Sequence, residues 1–243
     1  MLAARFGLPD LGLAALGEMA AGITDIVAAS DLPVMVDADD GYGDVKSVAY
    51  TTEVYVRLGV SGMILEDQMR VAKQPGDAGA LALIPTEVMA QKLRVAAEVR
   101  GDAEVQIVAR CDAYQPEGLQ GAIRRCEQYL KAGADGVFIP GVPKVEHLTE
   151  IGKSFRGKHL VVAMFEGRPT WLPPQELHAM GFSQVVYPWM MMSRVIHTLD
   201  AALKDFKNFA EGKAAMPPVG DPEAARVAFE EAVRLDRWKA IQN

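Results

Sequence analysis

Along the chain, short runs that are almost wholly apolar alternate with longer stretches in which apolar positions recur every three or four residues. The short runs are LPVMV (32–36), SGMIL (61–65), VQIVA (105–109), DGVFI (135–139), HLVVAM (159–164) and SQVVY (183–187). Runs of this length without polar alternation suit parallel strands covered on both faces. The longer stretches, about 12–28, 44–57, 85–100, 117–132, 143–154, 174–180 and 189–210, read as amphipathic helices. The alternation predicts an α/β fold of repeated βα units. A weak internal repeat agrees: RLGVSGMIL, KAGADGVFI and AMGFSQVVY place Gly59, Gly133 and Gly181 between a helix and the next strand. Glycine closes a helix in the left-handed conformation and lets the chain turn into the strand.

Two domains are expected. Residues 1–211 form a barrel domain, and residues 212–243 a linker and helix packing on the barrel or on a partner subunit. The boundary is the Pro/Gly segment GKAAMPPVGDP, which precedes a last amphipathic helix at 222–239. Six strand signals are visible, whereas a closed (β/α)8 TIM-type barrel has eight, and the chain opens on a loop-like AARFGLPDLG.

Composition narrows the function classes. The chain has 243 residues, 50% apolar and 23% charged, in the range of folded proteins. Its 25 Lys and Arg are scattered and outnumbered by 32 Asp and Glu, which argues against a nucleic-acid partner. No apolar run approaches a membrane span, and no basic segment leads into an apolar one, so neither a membrane nor a leader peptide is expected. Cys111 and Cys126 make neither a disulfide framework nor a CxxC pair, which suits a cytoplasmic protein.

The candidate chemistry gathers at the ends of the strand signals. Asp37, Asp39 and Asp40 follow LPVMV, Glu66 and Asp67 follow SGMIL, and Arg110 and Asp112 follow VQIVA. In a parallel α/β architecture these ends open on one face. One strand ending in charge is ordinary solvent exposure; three in succession point to a site. Carboxylates crowded together repel unless a cation offsets them, which suggests a hard divalent ion such as Mg²⁺. Arg110 suits a substrate carboxylate, which it can hold in a two-pronged hydrogen bond. In DADDGYGD, Gly41 and Gly43 read either as turn residues or as points where the backbone approaches a ligand, and Tyr42 either caps the core or lines the site.

Three segments, DADDGYGD (37–44), GVSGMILEDQ (59–68) and ARCDAY (109–114), carry a resemblance to the isocitrate lyase/phosphoenolpyruvate mutase superfamily, with FGLPDLGL (6–13) and AGADGVFIPG (132–141) extending it. The resemblance implies a (β/α)8 barrel whose last helix is often swapped between partners, in a homodimer or homotetramer. It also implies Mg²⁺, with Mn²⁺ as a substitute, and enolate chemistry on a small 2-oxo or 2-hydroxy di- or tricarboxylic acid. By position, Asp37 matches the direct metal ligand, while Asp39 and Glu66 match the residues holding metal-bound waters. Asp10 matches an acidic residue that approaches metal and substrate. Arg110 matches the carboxylate clamp, Tyr42 and Gly43 fall at the substrate-binding turn, and Glu166 falls where the lyases place a functional carboxylate. Ala163 stands where those lyases have Asn.

The lyases of the superfamily carry a lid Cys that donates a proton. Here the stretch is AKQPGDAGA (72–80), with Pro75 at the Cys position and Asp77 at the following His position; with Gly76 and Gly79 and no strong periodicity, it is expected to close over the site and exclude water. Loss of CO₂ from oxaloacetate needs no acid to break the bond, so the departure favours the oxaloacetate decarboxylases. A retro-aldol lyase of the methylisocitrate or dimethylmalate type is the alternative, with Glu166 as its acid, and a non-catalytic 2-oxo acid binder is the alternative of another class. The resemblance further places a Ser-Gly oxyanion pair, the first strand, the first helix and most of the second strand ahead of Met1.

Overall fold

The computed structural model describes residues 2–70, 82–218 and 220–241. Six strands form one sheet: β1 (Met35–Asp37), β2 (Gly62–Glu66), β3 (Gln106–Arg110), β4 (Gly136–Phe138), β5 (His159–Ala163) and β6 (Gln184–Val186). They lie in sequence order, and every neighbouring pair is parallel. The crossovers are helical: α3 (Val45–Leu58), α4 (Thr86–Arg100), α5 (Tyr114–Lys131), α6 (Val145–Ser154) and α7 (Pro174–Met180), preceded by α1 (Leu2–Arg5) and α2 (Leu16–Ala29). This is the consecutive winding of a (β/α) barrel. Among the described residues, β1 and β6 each pair with one strand.

Strand alternation divides the side chains between two faces. Met63, Leu65, Ile107, Ala109, Val137, Leu160 and Val162 face the helices and join the main core with Ile23, Tyr55, Met89, Leu93 and Tyr129. Val108, Phe138 and Val161 form a smaller cluster, flanked by half-buried Met35, Ile64, Ala163 and Val186. Helix ends are set locally. Asp44 caps α3, its carboxylate accepting from the backbone N–H groups of Lys46 and Ser47, both at 3.0 Å. Gly59 closes the same helix at φ +77° and turns the chain into β2.

All six strand signals are strands; β4, β5 and β6 are trimmed, whereas β1, β2 and β3 start later than expected and run one residue further, taking in Asp37, Glu66 and Arg110. Three differences are instructive. The loop expected at the N-terminus contains the four-residue helix α1. Helix α5 starts at Tyr114, ahead of the expected 117, and is interrupted at Gly118 (φ +70°), two residues after Pro116. The last helix is two, α9 (Pro222–Ala232) and α10 (Leu235–Ala240), separated by Arg234 in the left-handed conformation. No Gly or Pro marks that break, so the periodicity runs through it.

Two compact units are present, residues 1–188 and 189–243. The second holds α8 (Met190–Ala210), α9 and α10. Among the described residues no helix is long and apolar enough to cross a membrane.

The packing of α6 on α7 depends on the absence of a side chain at Gly152. A Cβ there would lie 1.9 Å from the carbonyl oxygen of Met180. Gly152→Ala is therefore expected to lower stability by about 1–3 kcal/mol or more in thermal melts. Gly17→Ala on α2, where a Cβ meets nothing within 4 Å, should raise it by about 0.5–1 kcal/mol. Equal melting temperatures for the two variants would contradict this packing.

Candidate active site

The ladder hydrogen bonds run past the strand ends and set the register of the site. Ala38 N–H donates to Ile64 O at 2.8 Å and Glu66 N–H to Asp39 O at 2.8 Å, which brings the loop after β1 alongside the end of β2. Glu66 is in register with Arg110 on β3. Arg110 Nη1 then lies 3.1 Å from Glu66 Oε2, and Nη2 lies 2.9 Å from Asp112 Oδ1. Burial works against the charge on Arg110, but Asp112 and Glu66 outweigh it and hold the pKa above the ordinary guanidinium range. The guanidinium also sits 5.9 Å from the centre of the Phe138 ring.

Asp67, the next residue on the strand end, points to the helix side. It accepts from Asp112 N–H at 2.8 Å and from the Tyr129 hydroxyl at 2.6 Å, with Arg125 Nη1 at 3.5 Å. Burial raises its carboxyl above the usual range against the pull of Tyr129 and of the Asp112 amide. Arg125 is held in turn by Glu117 at 2.6 Å and the Ile84 carbonyl at 3.1 Å. Asp67 is thus a brace between the ends of β2 and β3 and helix α5.

The loop after β1 is conformationally unusual. Asp39 (φ +47°) and Tyr42 (φ +61°) are left-handed without being glycine. Such residues cost on the order of 1–3 kcal/mol each and persist where the surroundings hold them. Gly41 and Gly43 have positive φ, and a Cβ would lie 2.3 Å from Val48 Cγ2 or 2.7 Å from Ser47 Oγ, so the turn itself requires both glycines. The Tyr42 hydroxyl is committed to that of Tyr55 at 2.9 Å. Burial raises both phenols, Tyr55 to about 12, so they stay protonated.

Asp40 anchors this loop. Its Oδ1 accepts from Tyr42 N–H at 3.1 Å and Arg70 Nη1 at 3.0 Å, and its Oδ2 lies 3.7 Å from Lys92 Nζ, which also donates to Asp40 O at 2.7 Å. Burial lowers the pKa of Lys92 and Asp40 opposes the shift. Arg70 Nη1 is also 3.7 Å from Asp39 Oδ2. Arg70, Lys92, Arg125 and Tyr129 are not among the site residues expected from the sequence. One signal was present: Lys92 sits among Met89, Leu93 and Ala96 on the buried face of an amphipathic helix.

Asp10 is exposed in the turn before α2, where Leu11 N–H donates to Pro9 O at 2.9 Å. Arg70 Nη2 donates to Gly12 O in the same loop, which joins it to the Asp40 cluster. Glu166 is exposed in the turn after β5. The lid expected at 72–80 lies outside the described residues.

Among the described residues, five carboxylates (Asp37, Asp39, Asp40, Glu66, Asp112) and three cationic groups (Arg70, Lys92, Arg110) stand around the mouth. Asp37 is exposed, accepts from Asp39 N–H at 2.9 Å, and among the described residues enters no ion pair. Among those residues no three His, Cys, Asp or Glu side chains form a ready cage. Asp37, Asp39 and Glu66 offer carboxylate oxygens, the donor type that a hard divalent ion takes. Arg110 Nε and Asp112 Oδ2 are buried without a hydrogen-bond partner among the described residues, a donor and an acceptor left over beside this mouth.

The acidic run thus separates by role. Asp40→Asn, which leaves Lys92 and Arg70 short of a charge partner, is expected to lower stability by about 3 kcal/mol. Asp37→Asn should stay within about 0.5 kcal/mol of the parent. Denaturant unfolding of the two variants measures the difference, and a loss at Asp37 as large as that at Asp40 would contradict the division.

The phosphoenolpyruvate phosphomutase family profile matches residues 1–207. The 2,3-dimethylmalate lyase of Eubacterium barkeri is 34% identical over 241 residues, covering 99% of this chain and 82% of that protein. A probable 2-methylisocitrate lyase of Corynebacterium glutamicum is 32% identical over 223 residues, 86% of this chain and 67% of its own. Among solved structures, a 2,3-dimethylmalate lyase superposes with a TM-score of 0.87 at 28% identity, over 98% of this chain and 78% of that one. An oxaloacetate acetylhydrolase bound to 3,3-difluorooxalacetate superposes with a TM-score of 0.88 at 25% identity, over 99% and 80%. With the strand-end carboxylates and Arg110 in one mouth, and a profile match over most of its length, this chain belongs to the phosphoenolpyruvate mutase/isocitrate lyase superfamily, a family of carbon–carbon lyases and mutases on a (β/α) barrel.

Proposed function

We propose that the chain cleaves a carbon–carbon bond of a small 2-oxo or 2-hydroxy di- or tricarboxylic acid through an enolate, and that its reaction is decarboxylation of oxaloacetate to pyruvate. The observation that carries this reading is the juxtaposition of Asp37, Glu66 and Arg110 at the ends of three adjacent strands, with Arg110 Nε left without a partner among the described residues. A divalent ion, Mg²⁺ or Mn²⁺, held directly by Asp37 and through waters by Asp39 and Glu66, would supply positive charge to polarise the 2-oxo group. Arg110 would bind a substrate carboxylate with the protons not used by Glu66 and Asp112. Tyr42 and Gly43 would shape the substrate-side turn, and Asp10 would approach from its loop. As the C3–C4 bond breaks, its electron pair moves into the enolate, the C4 carboxylate leaves as CO₂, and C3 afterwards takes a proton from water to give pyruvate.

A retro-aldol lyase is the second reading, favoured by the names of the relatives. That reaction needs an acid, and the two thiols are poorly placed to supply one. Cys111 and Cys126 are fully buried, and Cys111 Sγ faces the Ala122 carbonyl at 3.8 Å in the helix-side core. Glu166 would have to serve. The chain is also proposed to act as a homodimer or homotetramer. Met191, Val195, Leu199 and Leu203 follow one another at four-residue spacing along α8, each about half exposed or more, and a second copy would cover such a stripe.

Oxaloacetate is expected to yield pyruvate and CO₂ faster than in buffer with the same Mg²⁺, and the enzymatic part should fall at least about 10²-fold in Asp37→Asn and in Arg110→Met. 2-Methylisocitrate and 2,3-dimethylmalate should be cleaved far more slowly. Robust cleavage of either, or formation of oxalate from oxaloacetate, would overturn the decarboxylase assignment; no turnover of any of the three would favour the binding protein. Light scattering should show a dimer or tetramer that Leu199→Glu with Leu203→Glu dissociates, and a monomeric parent would contradict the assembly.

A further inference from the structure

Arg70 belongs to none of the motifs that carry the family resemblance, yet three parts of the site meet on it. Its Nη1 lies 3.0 Å from Asp40 Oδ1 and 3.7 Å from Asp39 Oδ2. Its Nη2 donates to Gly12 O and, at 3.1 Å, to Ala14 O. The guanidinium also stands 5.3 Å from the centre of the Tyr42 ring. The loop passes so close that a Cβ at Gly12 would lie 3.3 Å from Arg70 Cγ and Nε. A planar fork with donors on both Nη atoms can serve two carbonyls on one side and two carboxylates on the other; a lysine ammonium cannot span them.

We infer that Arg70 is a positioning residue with two separable actions: it ties the loop bearing Asp10 to the Asp39–Asp40 turn, and its charge tempers the attraction of the acidic mouth for a divalent cation. The second action rests on the metal reading given above; the first does not. The two actions have opposite consequences when the residue is removed. Without the fork, the carbonyls of Gly12 and Ala14 lose their donor, and the loop that carries Asp10 loosens. Without the charge, the potential around Asp37 and Asp39 becomes more negative, and a cation binds more tightly. A residue that merely supported the fold would, on removal, weaken metal binding along with everything else.

The test uses the full chain and its Arg70→Met, Arg70→Gln and Arg70→Lys variants, with Mg²⁺ itself as the probe. Calorimetric titration should give a Mg²⁺ Kd at least about threefold lower in Arg70→Met and Arg70→Gln, and within about twofold of the parent in Arg70→Lys, which keeps the charge. Hydrogen exchange of the amides of residues 10–14 should quicken about tenfold or more in Arg70→Met and stay fast in Arg70→Lys, which lacks the fork. Pyruvate formation should fall in both, through kcat more than KM. Unchanged exchange over 10–14 in Arg70→Met would overturn the tether, and equal or weaker Mg²⁺ binding in both charge-neutral variants would overturn the electrostatic action. A parent that binds no Mg²⁺ refutes the metal reading instead, and the exchange measurement still decides the tether. Should Arg70→Met not fold, Arg70→Gln carries both arms.

Discussion

Carboxylates gathered at the end of a parallel sheet repel one another, and the arrangement of this mouth follows from how that repulsion is met. The ladder extends past β1 so that Asp39 lies beside Glu66, and the register of β2 on β3 sets Glu66 beside Arg110. Each carboxylate the register buries then has a cation: Asp40 has Arg70 and Lys92, Glu66 and Asp112 share Arg110, and Asp67 has Arg125 with the Tyr129 hydroxyl. Buried pairs of this kind add little net stability, but losing one partner is expensive, so they act as constraints on geometry. Asp37, exposed on the last position of β1, stands outside these pairings.

The same constraint explains the backbone of the loop after β1. Left-handed Asp39 and Tyr42 are held by the Asp40 carboxylate on the Tyr42 amide and by the hydroxyl pair of Tyr42 and Tyr55. Burial keeps both phenols neutral, so this clamp persists through the physiological pH range. Strain stored beside a candidate metal ligand is consistent with a turn shaped for binding rather than for stability.

Much of this was legible from residue order. The six strands announced themselves as apolar runs, and the three charged strand ends pointed to one mouth because parallel strands share a C-terminal face. Strand alternation also separates Glu66 from its neighbour Asp67, one toward the substrate side and one toward α5. The cations that balance the carboxylates were not legible. Arg125 and Tyr129 look like ordinary positions of an amphipathic helix, and Arg70 lies outside every motif; what they do depends on packing between elements distant in sequence. Lys92 was the exception, a charge on a buried helix face. The break at Arg234 left no mark because its conformation is not one its residue type favours.

The strand-end mouth is proposed to take a divalent cation and a 2-oxo acid together. Oxalate, a stable dianion with the outline of a pyruvate enolate, tests it directly by calorimetry in the presence and absence of Mg²⁺. Linkage requires each to tighten the other by the same factor. Oxalate is expected to bind at least about tenfold more tightly with Mg²⁺ in the parent, and Asp37→Asn is expected to abolish the difference. Oxalate binding that ignores Mg²⁺, or a coupling that survives Asp37→Asn, would contradict it.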